Sequence, residues 1–559
     1  MFLLFGSLLT GVASAKNVLT PKTKKEQVDL ILKNGFIYTV DENRSIAKTV
    51  AVRDGEIVFV GDNNSAMSLK GPETEVIDLK GKMVLPGFID SHNHAYLKSE
   101  ELFWVTLPGV SADDPEDAYK KYKEAIEAYV QKNPGIQQVR GVGLNEIAVN
   151  AIAEQKGITP KEVLDGIVPD VPAVIITHGH HDIWVNSIAL KNANIDSTTE
   201  NPAGGTIVRI PGTSEPNGIL REFSAQNLII NALPQTDFTV EEYKTSILAF
   251  QEMAAERGTT SVFVPVHYPT ESLLQAFEEL DNANKLTVRY DLGLWADETK
   301  GTKQIQTFID MRNKYQGNLY KVDSVKIFAD GTSYLVWEQD VLKETVAALD
   351  KEGFRVFIHA IGNNETFPVS PMLDAFEYAA KVNGVRDSRH AITHIPWVFE
   401  EDIDRFKDLN VIPIPQPAWF SRTRDARPDQ YENLNRLKSY FDAGLPVASS
   451  SDYPVNDFWP LDGVEVGMTR IGVNETDLSK AAWPQERATL DQMLASYTVN
   501  GAHAIFAEDE TGTIEVGIKA DFVILEKNLF EVPVTEISDV KILRTIFAGK
   551  TVYNNPASK

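Results

Sequence analysis

His92 and His94 stand two residues apart at the end of an apolar run, Val84-Leu-Pro-Gly-Phe-Ile-Asp-Ser-His-Asn-His94. On a β-strand, residues two apart project to the same side, so both imidazoles would face one point; on a helix they would diverge. Two imidazoles aimed together are the beginning of a chelate for a divalent cation. Three further residues have the same placement, each just beyond or closing an apolar run: His359 after Phe354-Arg-Val-Phe-Ile, His394 at the end of His390-Ala-Ile-Thr, and Asp452 after Pro446-Val-Ala-Ser-Ser-Ser. Singly, each reads as a satisfied polar residue; at four strand tips together they read as one metal site. Lys326 lies within Val325-Lys-Ile-Phe-Ala329, a run expected to be buried, where an unpaired ammonium is costly. It could pair with Asp330 on the same strand face, or lose its charge and react with carbon dioxide. The resulting carbamate is an anion with two oxygens, able to bridge two cations. The chain has 0 Cys, so any metal must be held by His, carboxylates or modified groups, and thiolate nucleophiles and disulfides are excluded.

Eight short apolar runs can present such tips: Met83 to Ile89, Thr260 to Val266, Thr287 to Leu294, Ser324 to Ala329, Phe354 to Ile358, His390 to His394, Val411 to Ile414 and Pro446 to Ser450. Helical segments with recognisable ends lie between them. Ser370-Pro371 opens one as N-cap and first-turn proline, while Gly384 and Gly353 can close helices. Strands of near-continuous apolar character alternating with helices specify an α/β fold, a (β/α)8 TIM barrel whose active sites collect at the C-terminal strand ends. The first two runs are separated by roughly 170 residues, where one such unit needs about 30. An insertion from Tyr96 to Leu233 is therefore expected over the barrel mouth, with an amphipathic helix from Pro115 to Lys132 and a Gly/Pro-rich stretch from Asn201 to Gly218. Thr239-x-x-Glu242 reads as a capping box after it.

Both ends of the chain are β-rich. Val28 to Ile37 and Thr49 to Val60 carry the turn dipeptides Asn34-Gly35 and Asp54-Gly55, and Ala520 to Leu525, Val540 to Phe547 and Thr551 to Tyr553 are strand-like. The expected organisation is a signal peptide over 1–15, a composite β-sandwich domain from 28–83 and 510–555, the barrel from 84–95 and 234–509, and a lid subdomain over 96–233. The signal rests on an apolar stretch ending in Ala13-Ser14-Ala15, a small-x-small cleavage pattern, and implies an exported, periplasmic or secreted protein. No Lys or Arg precedes that stretch, and the alternative is a buried N-terminal strand. No later run reaches the roughly 20 apolar residues of a spanning helix, so no membrane partner is expected. Hydrophobic residues at 43% and charged residues at 24% fit a soluble globular chain. With 54 Lys plus Arg against 79 Asp plus Glu, the net charge of −25 argues against nucleic acid as a partner. No sequence feature bears on oligomeric state.

Taken in order, Pro86-Gly-Phe-Ile-Asp-Ser-His-Asn-His94, Val325-Lys-Ile-Phe-Ala-Asp-Gly331, His359-Ala-Ile-Gly362, the Arg389 to His394 strand, Ser451-Asp-Tyr-Pro454, Tyr497-Thr-Val-Asn-Gly-Ala502 and Gly512-Thr-Ile-Glu-Val-Gly-Ile-Lys-Ala-Asp-Phe522 resemble successive signatures of the metal-dependent amidohydrolase superfamily, in its amidohydrolase-3 or YtcJ-like group. The resemblance runs from about Val28 to Tyr553. It implies that His92 and His94 bind a first metal, His359 and His394 a second, and a carbamylated Lys326 bridges them, with Asp452 as first-metal ligand and catalytic general base. It also places His181, Trp184 and Asn186, from His178-Gly-His-His-Asp-Ile-Trp-Val-Asn186, at the substrate pocket; His178 and His180 are equally well explained as a solvent-exposed cluster. Pro202-Ala-Gly-Gly205 and Asn217-Gly-Ile-Leu-Arg-Glu222 continue the same likeness. Three positions depart from the group's pattern: Asn363 where an Asp is usual, Thr393 where a Glu is usual and Ser450 where a Gly is common. They leave every implied ligand in place and bear on the ligands' surroundings or the substrate.

The activity implied is cleavage of an amide-like C–N bond in a small organic molecule, of non-peptide, N-acyl or N-formyl type, by hydroxide generated between two divalent ions. Zinc is the first choice for these donors, with manganese, iron or nickel as alternatives and a one-metal site as a variant. An ester or lactone hydrolase could use the same site, and a catalytically silent exported ligand-binding protein could use the same barrel mouth. His267 could line the pocket; His390 and His503 have no role beyond structure.

Overall fold

The computed structural model describes residues 27–234, 237–266, 270–331, 335–362, 369–425 and 434–556. Residues 1–15, His267 and Asn363 lie outside them. No described helix is long and apolar enough to cross a membrane.

Seven parallel strands form one curled sheet: β1 (Phe88–Asp90), β2 (Thr259–Val266), β3 (Arg289–Ala296), β4 (Tyr320–Phe328), β5 (Arg355–Ala360), β6 (Ala391–His394) and β7 (Ile412–Ile414), hydrogen-bonded in that order. Helices lie between them in sequence, so the sheet is covered outside as well as filled inside, and the fold is an α/β barrel of the TIM type. Strand parity decides which residues look inward. On β4, Val325 and Ile327 join the core between sheet and helices, which leaves Lys326 on the interior face. On β5, Val356 and Ile358 join that outer core while Phe357 belongs to a separate cluster within the barrel, so His359 shares the interior with Phe357.

Two strand expectations need correction. The run Met83 to Ile89 is not one strand: it divides at Gly87 into Met83–Pro86, which pairs with strands from the chain ends, and β1, which enters the barrel. Pro446 to Ser450 is not a regular strand, although it occupies the gap between β7 and β1. Ala448 N donates to Pro413 O and Ser450 N to Pro415 O on one side, while Ser91 N donates to Ser449 O and Asp452 N to His92 O on the other. The ladder is interrupted because Ser449 N turns to Ser496 O and Ile89 N to Tyr497 O. A later segment thus takes bonds that two adjacent strands would otherwise share.

At the chain ends, a four-stranded sheet (Glu56–Gly61, Thr49–Arg53, Val28–Lys33, Lys70–Asp78) shares a core with a six-stranded sheet that interleaves C-terminal strands Lys550–Asn554, Ile542–Phe547 and Phe522–Leu525 with Met83–Pro86, Phe36–Tyr38 and Ile46–Ala47. Asp54 and Gly55 have φ of 52° and 78° and join two paired strands through a two-residue turn. Between β1 and β2 lies a second six-stranded sheet, including Ala173–Ile176, Asp182–Val185 and Pro216–Arg221. The helix Pro115–Lys132 buries Ala118, Tyr122 and Ile126 against it, one residue per turn. The helix Val240–Glu256 that leads into β2 begins with the capping box of Thr239 and Glu242.

Gly87 is where the chain crosses from the terminal sheet into the barrel, and a Cβ there would lie 2.9 Å from Thr260 Cβ on β2 and nearer still to its hydroxyl. Gly87→Ala is expected to cost about 1–3 kcal/mol through this overlap. A melting temperature equal to that of the unsubstituted protein would contradict the close approach.

Candidate metal centre

Asp90 at the end of β1 fastens the barrel mouth. Its carboxylate accepts from Ser451 N (3.0 Å), Ser451 Oγ (2.5 Å) and Asn93 Nδ2 (3.0 Å), which binds the His92-x-His94 tip to the segment that carries Asp452. The result is a cluster of one carboxylate and two imidazoles: Asp452 Oδ1 lies 3.0 Å from His92 Nε2 and 3.2 Å from His94 Nε2. Despite that proximity Asp452 Oδ1 accepts no hydrogen bond among the described residues, and His92 Nδ1 is likewise buried without a partner. His94 Nδ1 lies 3.2 Å from the carbonyl of Pro265. A carbonyl can only accept, so Nδ1 carries the proton and Nε2 presents a lone pair.

His359 and His394 form the second pair, with ring centroids 4.6 Å apart; His394 is 5.0 Å from His92 by the same measure. Strand parity would send His394 outward with Ile392. Left-handed backbone at His394 (φ 72°) and Ile395 (φ 41°) ends the strand there and re-aims the ring, and Asp452 (φ 60°) uses the same device. Such conformations cost non-glycine residues about 1–2 kcal/mol each and concentrate at functional sites.

The proton of His394 is fixed by a chain of donors. Thr393 Oγ1 donates to Ile414 O (3.1 Å) and Ser450 Oγ to Pro415 O (3.1 Å), so both hydroxyls have lone pairs to offer Gln416 Nε2, at 3.2 and 2.8 Å. That orients the amide: Gln416 Oε1 faces His394 Nδ1 at 2.9 Å and must accept from it, which leaves Nε2 of His394 bare. Thr393 and Ser450, two of the departures from the amidohydrolase pattern, therefore serve the orientation of the His394 ring. Asp330 does the same for His359, with Oδ1 2.7 Å from Nδ1 and Oδ2 accepting the amides of Ile361 (2.9 Å) and Gly362 (2.5 Å). Trp419 stacks on His394 at 5.5 Å.

Lys326 is fully buried, and its Nζ has no hydrogen-bond partner among the described residues. The ion pair with Asp330 weighed from the sequence is not formed; Asp330 is taken by His359. Instead Nζ lies 4.8 Å from the centre of the Phe328 ring and 5.0 Å from that of Phe357. Phe328 packs on His359 and Phe357 stacks on His92, so the amine stands between the two histidine pairs. Burial lowers the Lys326 pKa to about 7, against the pull of Asp452 and Asp330. Burial also holds His92, His359 and His394 well below the ordinary imidazole range, so they are neutral, the form that binds metal. For Asp452 burial acts in the opposite sense, but His394, His94 and Lys326 outweigh it and keep the carboxyl below its usual range.

Of the three lid residues implied by the resemblance, His181 alone reaches the centre. Its ring is 6.0 Å from His359, and its Nδ1 is 2.8 Å from Glu222 Oε2. The structure places Trp184 and Asn186 elsewhere. Trp184 is fully buried in the insertion's core and donates Nε1 to Pro160 O at 2.7 Å. Asn186 is also fully buried: Oδ1 accepts from Ala173 N and Ala189 N, capping the helix Ser187–Asn192, and Nδ2 donates to the carbonyls of Val168 and Val171. Every polar group of both residues is used inside the lid. His390 accepts from Val356 N and sits 3.2 Å from Asp350 Oδ1, away from the ligand cluster. A cavity of about 640 Å³ lies between lid and barrel beside the centre, with Tyr96 and Phe223 among its walls. Their rings are 6.3 Å from His94 and 6.0 Å from His181. Gln416 was missed from the sequence, although it stands two residues beyond β7 as the other site residues stand beyond their strands.

Residues 75–553 match the Amidohydrolase family, and the chain belongs to it. It is a hydrolase acting on C–N bonds. The chain is similar to Protein LONG AFTER FAR-RED 3 of Arabidopsis thaliana, 28% identical over 94% of this chain and 91% of that one. It is 25% identical to N-substituted formamide deformylase of Arthrobacter pascens, over 95% and 99% of the two chains. The crystal structure of an uncharacterized metal-dependent hydrolase from Pyrococcus horikoshii shares the fold, with a TM-score of 0.67 at 23% identity over 90% and 99% of the chains.

Replacing Gln416 with Leu removes the acceptor that fixes His394. Metal affinity should fall about 10–100-fold with the fold retained; titration with a competing chelator reads this, and an unchanged affinity contradicts the assigned orientation.

Proposed function

We propose that the protein hydrolyses an amide-like C–N bond of a small N-acyl or N-formyl compound at two divalent cations held by this centre. The observation that carries the reading is the convergence of Asp452 Oδ1 with the Nε2 atoms of His92 and His94, at 3.0 and 3.2 Å, in a buried space. A carboxylate and imidazole nitrogens gathered this closely away from water are a donor set that a shared cation stabilises. His92, His94 and Asp452 would hold one cation, and zinc suits that donor set. His359 and His394 bring two ligands to a second, and Lys326 as a carbamate would complete it while reaching the first. At its pKa of about 7, a large share of Lys326 is free amine at neutral pH. The amine nitrogen adds to the carbon of carbon dioxide and one proton is released.

When bound, the cations lower the pKa of water and polarise the scissile carbonyl. The protein's own part is proton handling and exclusion of solvent. The Asp452 carboxylate accepts a proton from the attacking water and returns it to the departing amine nitrogen. His181, held by Glu222, faces the same space from the lid. The formamide chemistry named for the Arthrobacter pascens relative supports N-formyl compounds as the first substrates to test.

Elemental analysis should give two metal ions per chain when bicarbonate is supplied and fewer without it, with the bicarbonate effect growing as pH rises through about 7. Two tightly held ions in Lys326→Met would contradict the bridge. Asp452→Asn should reduce turnover of N-formyl and N-acyl substrates by about 10²–10⁴-fold, and undiminished turnover would refute its role. A paired set of amides and esters decides bond type, esters alone being cleaved if the C–N reading is wrong.

A further inference from the structure

The cavity beside the metal centre has an unusual wall. Trp104, Phe238, Tyr243, Phe223 and Trp295 give it an aromatic side, and into it the lid strand Val139–Val142 contributes Arg140. The Arg140 guanidinium makes no ion pair and no hydrogen bond among the described residues, and its Nε is buried without a partner. Its neighbour is the face of Trp104, 5.5 Å from the guanidinium carbon to the ring centre. Arg140 is half-buried, and arginines buried more deeply are tied down: Arg355 lies 3.3 Å from Asp291, Arg389 lies 2.9 Å from Asp387, and Arg470 donates to Asn435 O at 3.0 Å.

Two acidic residues in the same cavity wall are near enough to influence Arg140, but neither forms an ion pair with it. Glu100 is engaged by His180, 3.2 Å away, and Asp237 is exposed. Burial pushes the Arg140 pKa below its ordinary value while Glu100 and Asp237 oppose this, and an arginine so placed stays cationic at neutral pH. A planar cation with free N–H donors, partly withdrawn from water and backed by an indole, matches a carboxylate in shape and charge. The aromatic walls match an aryl or other flat apolar body.

We propose that Arg140 and Trp104 form a carboxylate-binding subsite, and that the ligands of this cavity are organic acids with an aromatic body. The proposal rests on the hydrolase reading only in taking such an acid as the distal part of the substrate; the binding itself does not require turnover. It adds selectivity, because burying the cation against a neutral ligand leaves the guanidinium donors unsatisfied.

The test is calorimetric binding of 3-phenylpropionate and of the neutral 3-phenylpropanol to the metal-loaded full-length protein, to Arg140→Ala and to Arg140→Lys. The unsubstituted protein should bind the acid at least about tenfold more tightly than the alcohol. Arg140→Ala should lose that preference while keeping its affinity for the alcohol, and Arg140→Lys should recover part of it. The proposal is overturned if the acid binds Arg140→Ala within twofold of the unsubstituted protein, which would assign the carboxylate to the metal centre. It is also overturned if both affinities fall together, or if neither probe binds the unsubstituted protein. Failure of the hydrolase reading would show instead as bound acid without cleavage of any amide.

Discussion

Four imidazoles, a carboxylate and a primary amine share a space from which water is nearly excluded, with Lys326 at 0% exposure and Asp452 at 4%. The cost of that exclusion governs the barrel mouth. Buried charges and bare lone pairs are stable only when paired or neutralised. His92, His359 and His394 respond by staying neutral, and Lys326 responds through a pKa of about 7. Asp452 keeps its charge below the usual carboxylate range, because His394, His94 and Lys326 together outweigh the effect of burial. This is an arrangement in which divalent cations would replace the missing water.

The surrounding structure serves to keep the lone pairs aimed. The pleat of β4 and β5 sets Lys326 and His359 inward, and left-handed residues turn His394 and Asp452 where the pleat alone would not. Behind the imidazoles, Pro265 O, Asp330 and Gln416 each hold an Nδ1 proton, so that the opposite ring nitrogen is available. Asp90 and Ser451 then hold the first and last tips of the barrel together. The geometry of the cluster is thereby fixed by protein contacts alone, which is how a preorganised site avoids reorganisation.

Much of this could be read from the chain because strand periodicity and residue type are local properties. His92-x-His94 declares its geometry within three residues, and the apolar runs ending at His359 and His394 show their burial directly. What escaped is what depends on distant partners. The amide of Gln416 gains its meaning only when β6, β7 and the Ser450 segment meet, so the substitutions at Thr393 and Ser450 could not be interpreted in advance. Trp184 and Asn186 form part of a motif that resembles a pocket wall, yet the strand Asp182–Val185 turns the indole into the lid's core and Asn186 is consumed as a helix cap. Gly87 hides a change of sheet within one continuous apolar run, since both halves have the same periodicity.

The central claim is that these side chains surround shared cations. Anomalous diffraction from crystals of the zinc-loaded protein tests it most directly. Two peaks are predicted, one contacting His92, His94 and Asp452 and one contacting His359 and His394, with density joining both to Lys326. Zinc peaks confined to surface carboxylates, with the six side chains still hydrogen-bonding only to protein and water, would contradict the account.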